Sequence, residues 1–155
     1  MAYTRKRTAK RTRPKDRTCY ETAVYLLQFR DQSEKDLTRK LKEREYTEKE
    51  IEEAMERLRD YEYVNDENLA DELFEAYRRR AQYGDAYIHQ KLKLKGLATE
   101  KHLQLEEEIE MAAALLQKKW GMSPKLRTDF KKSASFLLRR GFSHDAVMTV
   151  MHEMD

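Results

Sequence analysis

Few side chains in this 155-residue sequence are of types and spacings that could do chemistry. Its four histidines are His89, His102, His144 and His152, and its one cysteine is Cys19. These side chains could ligate a transition metal or exchange protons near neutral pH. None of the histidines stands in an HExxH pattern or a paired-ligand spacing, and Cys19 has no partner cysteine. They read as surface or half-buried structural residues. Ser33, Ser123 and Ser143 each precede a helical pattern, so helix capping accounts for them. None lies in the strand–turn–helix elbow that exposes a serine nucleophile. The best local oxygen cluster is Asn65-Asp66-Glu67, which could hold a cation but is explained more simply as a helix cap. No two glycines lie close together, which removes the phosphate-binding and dinucleotide-binding loops. The expectation is a protein without catalytic residues, metal or cofactor.

The basic residues carry more information. Residues 1–17 hold Arg5, Lys6, Arg7, Lys10, Arg11, Arg13, Lys15 and Arg17 against Asp16 alone, a net +7. The whole chain is +3, so the remainder is −4. A basic arm therefore precedes a mildly acidic body, and such arms either contact polyanions or serve as disordered, solubilising tails. Further basic groups are Arg78-Arg79-Arg80, Lys91 with Lys93 and Lys95, Lys118-Lys119, Lys131-Lys132 and Arg139-Arg140. On a helical wheel Lys35, Arg39 and Lys42 cluster opposite Leu37 and Leu41, an exposed basic stripe. Arg44, Lys95 and Arg140 each fall in the last turn of a helix. A cation gains about 0.3–1 kcal/mol there from the helix dipole, so a structural reason suffices for them. So many clusters in one short chain point to nucleic acid, bound directly or beside a protein partner. Glu106-Glu107-Glu108 with Glu110 cannot face phosphate and leaves an acidic side for a protein. Tyr46, Tyr61, Tyr63 and Tyr77 fall on apolar faces or turns, which makes core packing their default.

The elements that would position these residues are helical. Charged and hydrophobic residues each make up 39% of the chain, and mean hydropathy is −1.00. That composition suits long helices with thin apolar stripes. Val and Ile together number only seven, too few for a sheet. The expected first helix carries Tyr20, Ala23, Val24 and Leu27 and runs to about Arg30. Ser33 opens a second, with Leu37 and Leu41 inside. Thr47 with Glu50 forms a capping box for a third, burying Ile51, Ala54, Met55 and Leu58. Asn65 or Asp66 caps a fourth, which Gly84 stops. Asp85 caps a fifth, and Gly96 ends it. Thr99 starts a stretch without Gly or Pro up to Trp120, either one helix or two joined by a bend, and Gly121 ends it. Ser123-Pro124 starts a helix to Arg140. Gly141 stops that one, and Ser143 caps the last.

Three segments repeat: Leu41 to Thr47, Leu92 to Ala98 and Leu137 to Ser143. Each has an apolar residue, a base three positions on, a turn, an apolar residue (Tyr46, Leu97, Phe142) and a helix start. The match continues through Ala54, Leu105 and Val150, and through Leu58, Ile109 and Met154. The expected fold is all-α. Three tandem three-helix repeats, 18–62, 63–106 and 107–155, form an elongated, curved array behind a disordered or extended arm at 1–17. Glu45 stands where the other copies have glycine, so it must avoid or tolerate a left-handed backbone. A lone cysteine fits a reducing compartment, and neither a membrane-length apolar run nor a secretory leader is visible, so the expected location is the cytoplasm. No dimer helix is apparent, so a monomer is expected.

Arg30-Asp31-Gln32-Ser33-Glu34-Lys35-Asp36-Leu37, then Lys40-Leu41, resembles the first-repeat signature of the RecX family, bacterial regulators of the RecA recombinase. Tyr63-Val64-Asn65-Asp66 with Leu69-Ala70 resembles the second-repeat entry. Gly84, Ile88, Leu92 and Lys95-Gly96-Leu97 are similar to the family's Gly…Ile…Leu…Lys-Gly-Ile pattern. Lys118-Lys119-Trp120, Phe136-Leu137 and Arg139-Arg140-Gly141-Phe142-Ser143 resemble the third repeat. Glu45 and Glu62 depart from glycines common in the family. The resemblance implies a non-catalytic modulator of recombination and DNA repair. It would bind in the groove of the RecA–single-stranded DNA filament and suppress ATPase and strand exchange, with direct binding of single-stranded or duplex DNA in some members. The residues expected to contact RecA or DNA are Arg5, Lys6, Arg7, Arg11, Arg13, Lys35, Arg39, Lys42, Arg44, Arg78, Arg79, Arg80, Lys91, Lys93, Lys95, Lys131, Lys132, Arg139 and Arg140. A stand-alone helical DNA-binding protein and a helical-repeat adaptor for proteins are the alternatives.

Overall fold

A computed structural model describes residues 16–154. Arg5, Lys6, Arg7, Arg11 and Arg13 lie outside the described residues. Among those described, the structure is all-helical, with eight α-helices, one 3-10 turn and no strand. The helices are α1 (Cys19–Leu27), α2 (Glu34–Glu43), α3 (Glu48–Asp60), α4 (Asp66–Arg80), α5 (Asp85–Leu94), α6 (Leu105–Met122), α7 (Phe130–Arg139) and α8 (His144–Glu153). Two compact units divide between Asp66 and Glu67. No described helix is long and apolar enough to cross a membrane.

In the first unit α1, α2 and α3 close around Ala23, Leu37, Leu41, Ile51, Ala54, Met55 and Leu58. The caps follow the sequence: Ser33 accepts the Asp36 N–H, and Thr47 forms its capping box with Glu50. The buried face of α1 is Cys19, Thr22, Ala23 and Leu26, with Tyr20, Val24 and Leu27 only partly covered. This differs by a rotation from the expected stripe. Thr22 tolerates burial because its hydroxyl shares a 2.7 Å hydrogen bond with the Tyr46 hydroxyl. α1 also stops three residues short of Arg30. Buried Gln32 turns back and donates to the Leu26 carbonyl, capping the early end. Asp66 accepts the Glu34 N–H at the start of α2, and Glu34 pairs with Arg59 at 2.6 Å. Burial raises the Asp66 pKa, opposed by that backbone hydrogen bond.

Four turns share one construction. The N–H groups of Tyr46, Tyr63, Leu97 and Phe142 donate back to the carbonyls of Leu41, Leu58, Leu92 and Leu137. The residues just before Tyr46, Tyr63, Leu97 and Phe142 are left-handed: Glu45 (φ 67°), Glu62 (56°), Gly96 (72°) and Gly141 (85°). This is the double hydrogen-bonded C-terminal helix stop that favours glycine. Glu45 and Glu62 hold it at a cost of about 1–2 kcal/mol each. Tyr46, Leu97 and Phe142 are all buried, as expected for residues that fasten the next helix.

The second unit has two cores. Ala70, Phe74, Ile88, Leu92, Leu97 and Leu103 form one. Ala112, Leu116, Leu137, Phe142, Val147, Val150 and Met151 belong to the other. Met111 of α6 packs against both. The helix expected from Thr99 does not form. Residues 97–104 are a non-helical strap, and α6 starts only at Leu105. Tertiary contacts override the local pattern. Leu97 and Leu103 both enter the core beside α4 and α5, the Thr99 hydroxyl donates to Asp71, and Leu103 donates its N–H to Asp85. Leu105 is consequently 43% exposed and not equivalent to buried Ala54 and Val150.

Three further boundaries differ. α4 ends at Arg80, and Ala81 takes a left-handed turn (φ 53°) well before Gly84. α6 passes through Gly121 to Met122. The helix expected from Ser123 is instead a 3-10 turn (Pro124–Thr128), and Asp129 caps α7 by accepting the Lys132 N–H. Ser123 makes no side-chain cap. Buried Ser133 enforces the break, donating to the Leu126 carbonyl while accepting from the Trp120 indole N–H.

Glu108 is 5% exposed, and its carboxylate accepts the Ser143 N–H at 2.9 Å. Burial raises its pKa, the Ser143 bond opposes the rise, and the Asp85 charge adds to it. A carboxyl with a raised folded pKa takes up its proton first in the folded state. Its ionisation therefore costs stability as pH rises through the window from the unfolded value, about 4.3, to the folded one. Glu108→Gln keeps an acceptor for Ser143 without the charge. It is expected to be the more stable protein at pH 7, with the advantage vanishing near pH 4. Urea unfolding at both pH values checks this.

Candidate basic and aromatic interface

The basic ends of α4 and α7 meet at a glycine crossing. The Gly84 N–H donates to the Arg140 carbonyl at 2.8 Å. A Cβ on Gly84 would lie 2.3 Å from the Gly141 carbonyl oxygen, and one on Gly141 would lie 2.4 Å from Tyr87 Cβ. Only two glycines allow the backbones so close. The crossing brings the end of α4, the start of α5 and the end of α7 together.

Rings and cations from these elements form one connected cluster. Tyr83 and Tyr87 stack at 3.9 Å, nearly parallel. Tyr77 meets both edge-on at 6.2 and 6.4 Å. The Arg140 guanidinium lies 5.3 Å from the Tyr83 ring centre and 5.2 Å from that of Phe136. Lys91 sits 5.2 Å from Tyr87, Arg80 lies 5.7 Å from Tyr77, and Lys119 of α6 sits 5.4 Å from Phe136. Among the described residues none of these four cations has a carboxylate partner. The rings are half-buried, so they are rigid yet partly open. Unneutralised cations suit phosphate, and fixed aromatic rings suit unstacked bases.

The other expected residues separate. Arg79, Lys93, Lys131, Lys132 and Arg139 are exposed, and Lys95 is half-buried at the end of α5. Arg139 donates to the Ser135 carbonyl of its own helix. Arg78 points elsewhere and binds Glu75, Glu107 and the His102 carbonyl, which fastens the strap. A hydrogen bond from Lys101, with the Lys101 and Arg78 charges, holds the Glu75 carboxyl below its ordinary pKa. In the first unit Lys35, Arg39 and Lys42 are exposed on α2 as expected, but Arg39 pairs with Glu43 at 2.9 Å. Arg44 donates to the Lys40 carbonyl at its helix end. Burial and the charges of Arg30, Arg39 and Arg44 lower the pKa of Lys40, which is half-buried and donates to Gln32.

Tyr61 and Tyr63 are 61% and 52% exposed and pair 6.0 Å apart, so core packing fails for them. Each flanks or follows left-handed Glu62, whose turn throws both rings outward. Tyr83 and Tyr87 were not singled out by sequence, and Phe136 entered only within the third-repeat motif. The available signal was an aromatic next to a glycine or four residues from a lysine. His89 and His102 also meet, through Asp85, although their spacing gave no sign of it.

Models of the RecX family match the chain twice, its first three-helix domain at residues 19–58 and its third at 106–151. A regulatory protein RecX of Actinobacillus pleuropneumoniae is 34% identical over 140 residues, covering 83% of this chain and 87% of the relative. One from Trichlorobacter lovleyi is 29% identical over 139 residues, covering 83% and 90%. The crystal structure of RecX from Lactobacillus salivarius superposes with a TM-score of 0.76 at 25% identity, covering 88% of this chain and 94% of that one. With those relatives beside it, a chain of helical repeats with left-handed stops and a basic, aromatic glycine crossing belongs to the RecX family of regulatory proteins.

Proposed function

We propose that this protein regulates the RecA recombinase by binding the RecA–single-stranded DNA filament, where it restrains ATP hydrolysis and strand exchange. It acts in the cytoplasm, as a monomer and without chemistry of its own. Its three repeats, 18–62, 63–106 and 107–155, present binding surface to the filament. The observation that carries this reading, beside family membership, is the cluster of Arg80, Lys91, Lys119 and Arg140 on Tyr77, Tyr83, Tyr87 and Phe136. A filament offers both DNA backbone and protein, and a surface with cations, rings and separate acidic stretches suits such a mixed target.

The test is ATP hydrolysis by RecA on single-stranded DNA, titrated with this protein, with added free DNA as control. Inhibition at substoichiometric protein, not relieved by extra DNA, is the expected result. Inhibition that free DNA fully relieves would mean simple competition for DNA and would leave a stand-alone DNA-binding protein. No inhibition would leave an adaptor for another partner.

A further inference from the structure

We propose that Asp85, His89 and His102 form a divalent transition-metal site of the zinc class, which clips the strap onto α5. Asp85 and His89 are four residues apart and share one face of the helix. His102 reaches the same place from the strap, thirteen residues further along the chain from His89. The Asp85 carboxylate gathers both rings. Its Oδ2 lies 2.8 Å from His102 Nδ1, and its Oδ1 lies 3.5 Å from His89 Nε2. The imidazoles stack at 4.6 Å, which sets the two rings side by side against the Asp85 carboxylate. One ligand atom from each residue lies within 4.8 Å of the other two.

Three features suit a metal. The donor set is two imidazoles and one carboxylate, common for zinc and for other first-row divalent ions. Zinc holds such atoms at about 2.0–2.2 Å, which draws the ligands to about 3.3 Å from one another. The separations already approach that, and His102, 59% exposed, can adjust. Second, the carboxylate is oriented from behind. Asp85 Oδ1 accepts the Leu103 N–H at 2.7 Å, and outer hydrogen bonds of this kind fix a ligand's geometry. Third, the side facing solvent leaves a fourth position for water. On loading, the two ring nitrogens release their protons or present a lone pair. His89 Nε2 gives up its 2.9 Å contact with the Lys101 carbonyl in exchange for the metal.

A bound ion would tie α5 to the strap with far more strength than these hydrogen bonds. The strap lacks helical hydrogen bonds, and its Leu97 and Leu103 complete the core over α4 and α5. Metal would therefore register as stability of the second unit.

The experiment uses the full chain after chelator treatment. Cobalt(II) reports the site by its visible ligand-field absorption, and zinc then displaces it. Saturating zinc is expected to raise the thermal midpoint by about 4 °C or more. His102→Gln and His89→Gln each weaken metal binding by at least about a hundredfold and abolish the shift. The double variant of His144 and His152 to Gln binds as the wild type does. If wild-type protein shows neither absorption nor shift, the cluster is a hydrogen-bonded clasp only and the site is overturned. It is equally overturned if the variants at 89 and 102 bind undiminished while the double variant at 144 and 152 loses the metal.

Discussion

Gly84→Ala lowers the unfolding free energy by about 3 kcal/mol or more, whereas Gly121→Ala leaves it unchanged or raises it by up to about 1 kcal/mol. The chemical change is identical, one methyl group. At Gly121, inside α6, an added Cβ meets nothing within 4 Å, and the helix gains a better former. At Gly84 the methyl would sit 2.3 Å from the Gly141 oxygen and 2.4 Å from the Gly141 carbon and the Phe142 nitrogen. All three are backbone atoms of a turn fixed by its own hydrogen bonds, so no side chain can swing aside. The helices must part, which breaks the Gly84–Arg140 hydrogen bond and leaves buried polar groups unpaired. Three kcal/mol is a large share of the roughly 5–15 kcal/mol that holds a domain folded. Urea midpoints of the two variants against wild type decide the matter. A Gly84 variant as stable as wild type would mean that the crossing is looser than the structure has it.

That crossing shows where sequence reasoning reached and where it stopped. The turn at Gly141 was legible because a left-handed helix stop is written locally, as apolar residue, base, glycine, apolar residue. Glu45 was legible as a departure for the same reason and Glu62 through the family resemblance, and both are left-handed. Caps at Ser33, Thr47 and Ser143 also depend only on a few consecutive residues. Gly84 was visible too, but as a helix stop. Its use is to meet Gly141, 57 residues away, and no local pattern encodes that. The strap fails for the same reason. Thr99 to Gln104 has good helical composition, and only partners at Asp71, Asp85 and the core behind Leu103 keep it extended. The site divided similarly. Arg80, Lys91 and Arg140 were found because charge is a property of the residue. Arg78 was grouped with them although acidic partners from α4 and α6 neutralise it. The tyrosines beneath the cations were missed because stacking depends on which helices cross.

Charge and stacking give the cluster two distinct signatures on single-stranded DNA, and the second large effect separates them. Replacing Arg80, Lys91 and Arg140 together with glutamine should make the dependence of log affinity on log salt shallower by about 2. Each phosphate contact on a single strand contributes about 0.7 to that slope through counterion release. Affinity should fall most at low salt and converge with wild type as salt rises. Tyr83→Leu should act differently. It keeps apolar bulk between Arg140 and Tyr87 but removes the flat face, costing about 1–3 kcal/mol, or roughly 5- to 150-fold, at every salt concentration. Its slope should match wild type because no charge is lost. Anisotropy of a labelled oligothymidine across a salt series measures both. Glutamines at Lys35, Arg39 and Lys42 provide a comparison of equal charge loss from a face where Arg39 is already paired with Glu43. If that variant flattens the slope as much as the glycine-crossing variant does, the basic residues act only as a diffuse field. If only the crossing variant does so, phosphates sit on a defined surface built by Gly84 and Gly141. In that case destabilising the crossing and weakening DNA binding become two readings of one piece of geometry.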